Sequence, residues 1–160
     1  MAPNNKKILQ AHEEAKSYNR IKSKHVVENL FTDFTPWNEI EGFNNYLFAP
    51  SGRKIEFVED SAVIVGTAIF RGTGRRVAII AQQTPSSDDE RIKLNFGMVK
   101  ADGYGLSYCM MDYAEKNDLM LFTFVDTVGG DPYEYSAEKL KYWLISYCKS
   151  KMIGLKTKSI

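Results

Sequence analysis

The residues whose types and spacing could do chemistry lie between positions 79 and 132. An apolar run, Leu119 to Val125, ends in Asp126-Thr127-Val128-Gly129-Gly130-Asp131-Pro132. Glycines in such a turn let the backbone approach a bound group closely, and two aspartates flank them. Upstream, Gln82 and Gln83 open a polar loop that carries Asp88, Asp89, Glu90, Arg91 and Lys93 and closes on Asn95-Phe96-Gly97-Met98. Other chemistries find no residues to serve them. His12 and His25 stand far apart without cysteine partners, so no metal site is visible. Ser107 and Ser136 have no histidine in a triad context, and phosphate-loop and dinucleotide fingerprints are absent.

These residues need elements to position them. Short Val-, Ile-, Phe- and Tyr-rich runs at 46–49, 54–58, 62–70 and 77–81, separated by Gly, Ser and Asp, read as strands. Leu106, Cys109, Met110, Tyr113 and Ala114 follow helical spacing, and the 119–125 run has the length and continuity of a strand buried on both faces. A mostly polar helix is expected over 6–17, where His12 on the Ile8, Ala11, Ala15 stripe reads as structural. A last helix is expected over 136–152, with Ser136 as N-cap and Leu140, Trp143, Leu144, Tyr147 and Cys148 as its apolar stripe. The chain reads as a single domain over 1–160, with an N-terminal helix over 1–18 and a core over 19–160.

Gln82-Gln83, Asn95-Phe96-Gly97-Met98, Gly103-Tyr104, Ala114-Glu115 and Phe124-Val125-Asp126-Thr127 fall in ungapped register with a known pattern. Phe31-Thr32-Asp33-Phe34 matches a second block of it. The chain resembles the α subunit of acetyl-CoA carboxylase carboxyltransferase. The resemblance implies an α/β, truncated crotonase-like fold with a mixed sheet and packed helices. It also implies a reaction in which a carboxyl group passes from carboxybiotin on a carrier protein to an acyl-CoA. By that resemblance Gly129 and Gly130 are the candidate backbone donors to developing negative charge, beside a helix N-terminus. Gln82, Gln83, Arg91, Lys93, Asn95 and Gly97 are the candidate substrate contacts.

Departures from the family pattern shape the expectation. Val128 replaces a proline, the glycine after Pro132 is gone, and Asp131 adds negative charge beside the proposed donors. Thr84-Pro85-Ser86 and Lys93-Leu94 replace basic residues. A tight structural turn is the competing reading at Gly129-Gly130, and for Asn95 and Gly97 a loop-holding role is preferred to ligand contact. A second glycine-rich element of the family has no counterpart here. The expectation is therefore a chain inactive alone, whose partner (a β-type carboxyltransferase subunit, a biotin carrier or a chain supplying the missing half) completes the site. The alternative is a non-catalytic carboxyltransferase-like pseudoenzyme acting as a binding, regulatory or assembly module. No covalently bound cofactor is expected; carrier-borne biotin and coenzyme A esters are the possible ligands, and zinc belongs to the family's other subunit.

Composition bounds the rest. The 160 residues are 44% hydrophobic and 26% charged, with a formal net charge of +1. That is ordinary for a globular domain with a sizeable core and argues against a general nucleic-acid binder. The terminal lysines read as a solvated face. No window approaches the roughly 18 apolar residues of a membrane span. Cys109 and Cys148, the only cysteines, each lie on an apolar stripe, so two buried thiols in a reducing compartment, the cytoplasm, are expected. Oligomerisation is expected because a half-built core leaves apolar surface uncovered.

Overall fold

The computed structural model describes residues 3–47, 54, 56 and 59–131. Strand β1 is Phe31–Pro36, β2 Val63–Phe70, β3 Arg75–Gln82, β4 Met98–Val99, β5 Met120–Phe124 and β6 Gly129–Gly130. The helices are α1 Pro3–Lys16, α2 Ser23–Leu30, α3 Asp88–Lys93 and α4 Ala101–Lys116. Four strands form one sheet in the order β1-β2-β3-β5, and β4 and β6 form a separate pair.

Alternation along β3 explains the layers. Ala78 and Ile80 face α4, where they meet Leu106, Cys109, Met110 and Ala114 together with Val63 and Val65 of β2. Val77, Ile79 and Ala81 face the other way, toward Val27 of α2 and Phe31 of β1. Both faces of β3 are therefore covered, which is why its sequence VAIIA carries no polar alternation. The β2–β3 pair is an antiparallel hairpin with Val63 opposite Gln82 and Phe70 opposite Arg75. Its connection closes by a Gly74 N–H donating to Phe70 O at 2.8 Å. β5 then returns parallel to β3 through the α4 crossover, with Ile79 opposite Phe122.

The expected mixed α/β architecture is present. The expected helix over 6–17 is α1, and the expected helical stripe from Leu106 is α4, in which Cys109 is fully buried. Two expectations are corrected. β5 is not buried on both faces: Met120 and Thr123 are exposed and Leu121, Phe122 and Phe124 half-buried. Among the described residues it is an edge strand, and only its β3 side is paired. Tyr46 begins no strand. Gly42, with a left-handed φ of 75°, starts a 3-10 turn at Phe43–Tyr46. That turn buries Phe43 and places both rings against Tyr113 of α4, with centroids 5.3 and 5.0 Å away. The expected strand at 54–58, apart from Lys54 and Glu56, and the expected helix at 136–152 with Cys148 lie outside the described residues.

Candidate functional site

Because β3 and β5 run parallel, their C-terminal ends open on the same side of the sheet, and the loops that leave them meet there. Thr84, two residues past β3, donates its hydroxyl to Asp126 Oδ2 at 2.9 Å, two residues past β5. Arg20, from the segment between α1 and α2, completes the group. Its Nη2 donates to Thr84 Oγ1 at 3.0 Å and pairs with Asp126 Oδ1, and its Nη1 donates to Ile21 O at 3.1 Å. Burial by itself would raise the Asp126 carboxyl. The hydrogen bonds from Arg20 and Thr84 and the charges of Arg20 and Lys22 outweigh it and hold the group below the usual carboxylate range. Asp126 thus stays ionised and fixes where the following turn begins.

That turn is tied at both ends. Thr127 Oγ1 lies 3.0 Å from Gly97 O and 2.8 Å from Gly129 O, and it accepts the Gly129 N–H at 3.0 Å. The Gly129 amide is therefore engaged within the turn. Gly129 and Gly130 pair in parallel with Met98 and Val99, and Asp131 N–H donates to Val99 O at 3.2 Å. Since alternate residues of a strand direct their amides to opposite sides, the Gly130 N–H points away from β4. Asp131 is buried, and its Oδ2 accepts from Asn95 Nδ2 at 3.1 Å.

Asn95 also donates to Met98 O at 2.9 Å. These bonds hold three successive left-handed residues, Asn95, Phe96 and Gly97, with φ of 47°, 57° and 80°. Phenylalanine rarely adopts that conformation, so the surroundings must impose it. The remaining sequence-derived candidates separate in space. Gln82 has a buried Oε1 with no hydrogen-bond partner among the described residues. Gln83 turns aside and donates to Ser61 O at 2.9 Å. Arg91 lies on the surface, 3.2 Å from Asp88 and over the Phe96 ring at 5.6 Å. Lys93, at the end of α3, lines a cavity of about 490 Å³ that also takes in Gln83, Thr84 and Ser86. The structure thus gathers Asn95, Gly97, Gly129 and Gly130 at one place, sets Gln83 and Lys93 at another, and leaves Arg91 apart.

One further junction joins the site to the core. Asp60, 4% exposed, accepts the Lys100 N–H at 2.7 Å and the Ala62 N–H at 3.0 Å. Its carboxylate therefore sits at the N-terminus of α4, where backbone donors and the helix dipole favour negative charge. Burial nevertheless pushes the carboxyl up, against the pull of those two bonds. Gly103 makes the approach possible. A Cβ there would come within 2.8 Å of Val99 and 2.9 Å of Val63, and closer still to Asp60 Oδ2.

A family model described as acetyl co-enzyme A carboxylase carboxyltransferase-like matches residues 4–160. The chain belongs to this family. Among curated relatives, the acetyl-coenzyme A carboxylase carboxyl transferase subunit alpha of Mesorhizobium japonicum is 30% identical over 153 residues, covering 87% of this chain and 48% of the relative. The same subunit of a Chelativorans species is 33% identical over 134 residues, covering 84% of this chain and 37% of the relative. The chain spans less than half the length of these relatives. A crystal structure of transcarboxylase 12S, with methylmalonyl-coenzyme A and methylmalonic acid bound, aligns with a TM-score of 0.49 at 15% identity, over 93% of this chain and 29% of that one.

Within the carboxyltransferase-like family, the shared signatures now have local physical roles in this chain. Asn95 and Gly97 shape the left-handed loop, Gly103 admits Asp60 to the start of α4, and Asp126-Thr127 anchors the glycine turn to Arg20, Thr84 and the Gly97 carbonyl. Arg20, Thr84 and Asp60 were missed as site-forming residues by sequence reasoning. Arg20 follows Asn19 in the segment leading to the Phe31-Thr32-Asp33-Phe34 block, and that position was the available signal. Nothing in the spacing shows that it reaches Asp126, 106 residues away. Among the described residues no three His, Cys, Asp or Glu side chains come together as a metal site, and no helix is long and apolar enough to cross a membrane.

Proposed function

We propose that this chain contributes the α-type part of a biotin-dependent acyl-CoA carboxyltransferase site and works together with a partner polypeptide. The observation that carries the reading is the family match over residues 4–160, joined to a glycine turn held from both ends. Carboxybiotin on a carrier protein would supply the carboxyl group and a coenzyme A ester would accept it. The turn fits such an anion with one backbone donor rather than two. The Gly130 N–H is the group to hold negative charge as it develops, since the Gly129 N–H is already donated to Thr127. Asp131 suits this role better than its charge suggests, because Asn95 holds its carboxylate within the fold. With a single donor in this turn, further donors must come from another segment or another subunit. A β-type carboxyltransferase subunit and a biotin carrier are the partners of matching chemistry.

The test is carboxyl transfer between malonyl-CoA and biocytin, run with the chain alone and with a co-expressed β-type subunit from the same source. The expected result is turnover only in the mixture. Turnover by the chain alone, above a heat-killed control, would overturn the need for a partner. Absence of turnover in a stable, purified complex would overturn the assignment of carboxyl transfer.

A further inference from the structure

Neither Gly129 nor Gly130 lines the cavity of about 490 Å³, although Thr84 belongs both to its wall and to the latch that holds Asp126. Its volume falls in the range of roughly 300–1,000 Å³ usual for small-molecule sites. Its walls are apolar, cationic and, at Glu59, Asp60 and Glu90, acidic. Phe34, Trp37 and Ile64 give an apolar and aromatic part, from β1, the turn after it and β2. Lys22, Lys24 and Lys93 give a cationic part, beside Thr84 and Ser86.

Lys22 is the informative residue. It is only 4% exposed, and among the described residues its ammonium donates to the carbonyl of Ser17 alone, at 3.3 Å. An ammonium carries three donors, and burying it with donors unused and no carboxylate in direct contact is unfavourable. Among the described residues, no carboxylate lies within ion-pair distance of Lys22, Lys24 or Lys93. The cavity's own acids are bonded elsewhere or exposed, and Glu90, like Asp126 beyond the wall, acts on Lys22 only through its charge and not by direct contact. Asp60 accepts two backbone amides, Glu90 accepts the Ser86 N–H at 2.8 Å, and Glu59 is exposed. Burial, followed by the charge of Arg20, pushes the Lys22 ammonium below its ordinary value, against the opposing charges of Asp126 and Glu90.

We propose that this cavity binds a small oxyanion with an aromatic or apolar body, its phosphate or carboxylate held by Lys22 and Lys93 and its body placed against Trp37 and Phe34. Charge-assisted bonds from the lysines would fix the anionic head, and the aromatic wall would select for the body. The proposal uses none of the turn's donors, but it shares Lys93 with the substrate contacts that the family resemblance implies, so it is tested by binding rather than by turnover.

The test follows Trp37 fluorescence in the full chain carrying Trp143→Phe, which leaves one tryptophan of the two. Phenyl phosphate, benzoate and inorganic phosphate are titrated separately. Saturable quenching by phenyl phosphate or benzoate is expected, with inorganic phosphate at least about tenfold weaker, a difference of roughly 1.4 kcal/mol. Whichever of the two aromatic anions binds more tightly identifies the head group. Lys22→Met and Lys93→Met should each weaken binding about tenfold, while Lys7→Met on α1 should leave it unchanged. Lys93 is exposed, so its variant keeps the test decisive if Lys22→Met does not fold. No saturable quenching by either aromatic anion, equal affinity for inorganic phosphate, or unchanged affinity in Lys93→Met would overturn the proposal.

Discussion

Two places in this molecule combine a glycine with a buried aspartate, and they are built on opposite physics. At Gly103 the glycine is required by space: Asp60, Val63 and Val99 occupy the volume a side chain would need. At Gly129 nothing among the described residues lies within 4 Å of a would-be Cβ, and the glycine is required by a φ of 147°. The first junction is filled around the glycine, with Asp60 spent on the Lys100 amide at the start of α4 and the Ala62 amide just before β2. The second is open, with Val128 exposed and the Gly130 amide turned outward from β4. A glycine in a family signature therefore says nothing by itself about chemistry. What surrounds its missing side chain separates a packing role from a site.

The largest expected effect tests the filled junction. Gly103→Val should cost about 3 kcal/mol of stability, because an inserted side chain in a filled core forces its neighbours apart. Urea denaturation monitored by circular dichroism measures it. A loss below about 1 kcal/mol would show that α4 can move away from Asp60, and the contrast would fail.

Arg20→Met addresses the latch beneath the open turn and should cost about 1.5 kcal/mol. That is less than for a fully buried pair, since the Arg20 side chain is 29% exposed. The pH dependence gives the signature. The folded Asp126 carboxyl lies below its ordinary value, so its stabilising contribution is complete above about pH 4 and is lost as pH falls through the folded value. The variant should therefore show a shallower loss of stability at acid pH than the parent. An unchanged acid limb would remove Arg20 as the cause of the shift.

The smallest effects compare the two glycines of the turn. Gly129→Ala should cost about 1 kcal/mol through backbone strain alone. Gly130→Ala should stay within about 0.5 kcal/mol, as an ordinary exposed substitution does. If Gly129→Ala cost as much as Gly103→Val, the turn would be packed rather than open, and the two places would no longer differ in kind.

Much of the fold was legible because its signals are local and periodic. The apolar run over β3 and the helical stripe from Leu106 to Ala114 each record a backbone conformation in nearby residues. β5 was read as fully buried because an apolar run states preference, not neighbours. Only the sheet order shows that Met120 and Thr123 lack cover among the described residues. Tyr46 was read as strand because its β propensity is local, whereas the contact with Tyr113 that favours the 3-10 turn is 67 positions away.

The candidate site divides along the same line. Sequence by itself determined the family, the glycine turn, the Asn95-to-Met98 loop and the shortage of basic residues around it, because these are properties of residue type and order. Tertiary structure alone decided that Gly129 donates its amide to Thr127, that Asp131 turns to Asn95, and that Arg20 clamps Asp126. It also decided that Lys22 is buried while Arg91 is not. Each of these is a hydrogen bond or a desolvation, set by atoms that the chain brings together from distant positions, and no local pattern encodes which distant group will arrive.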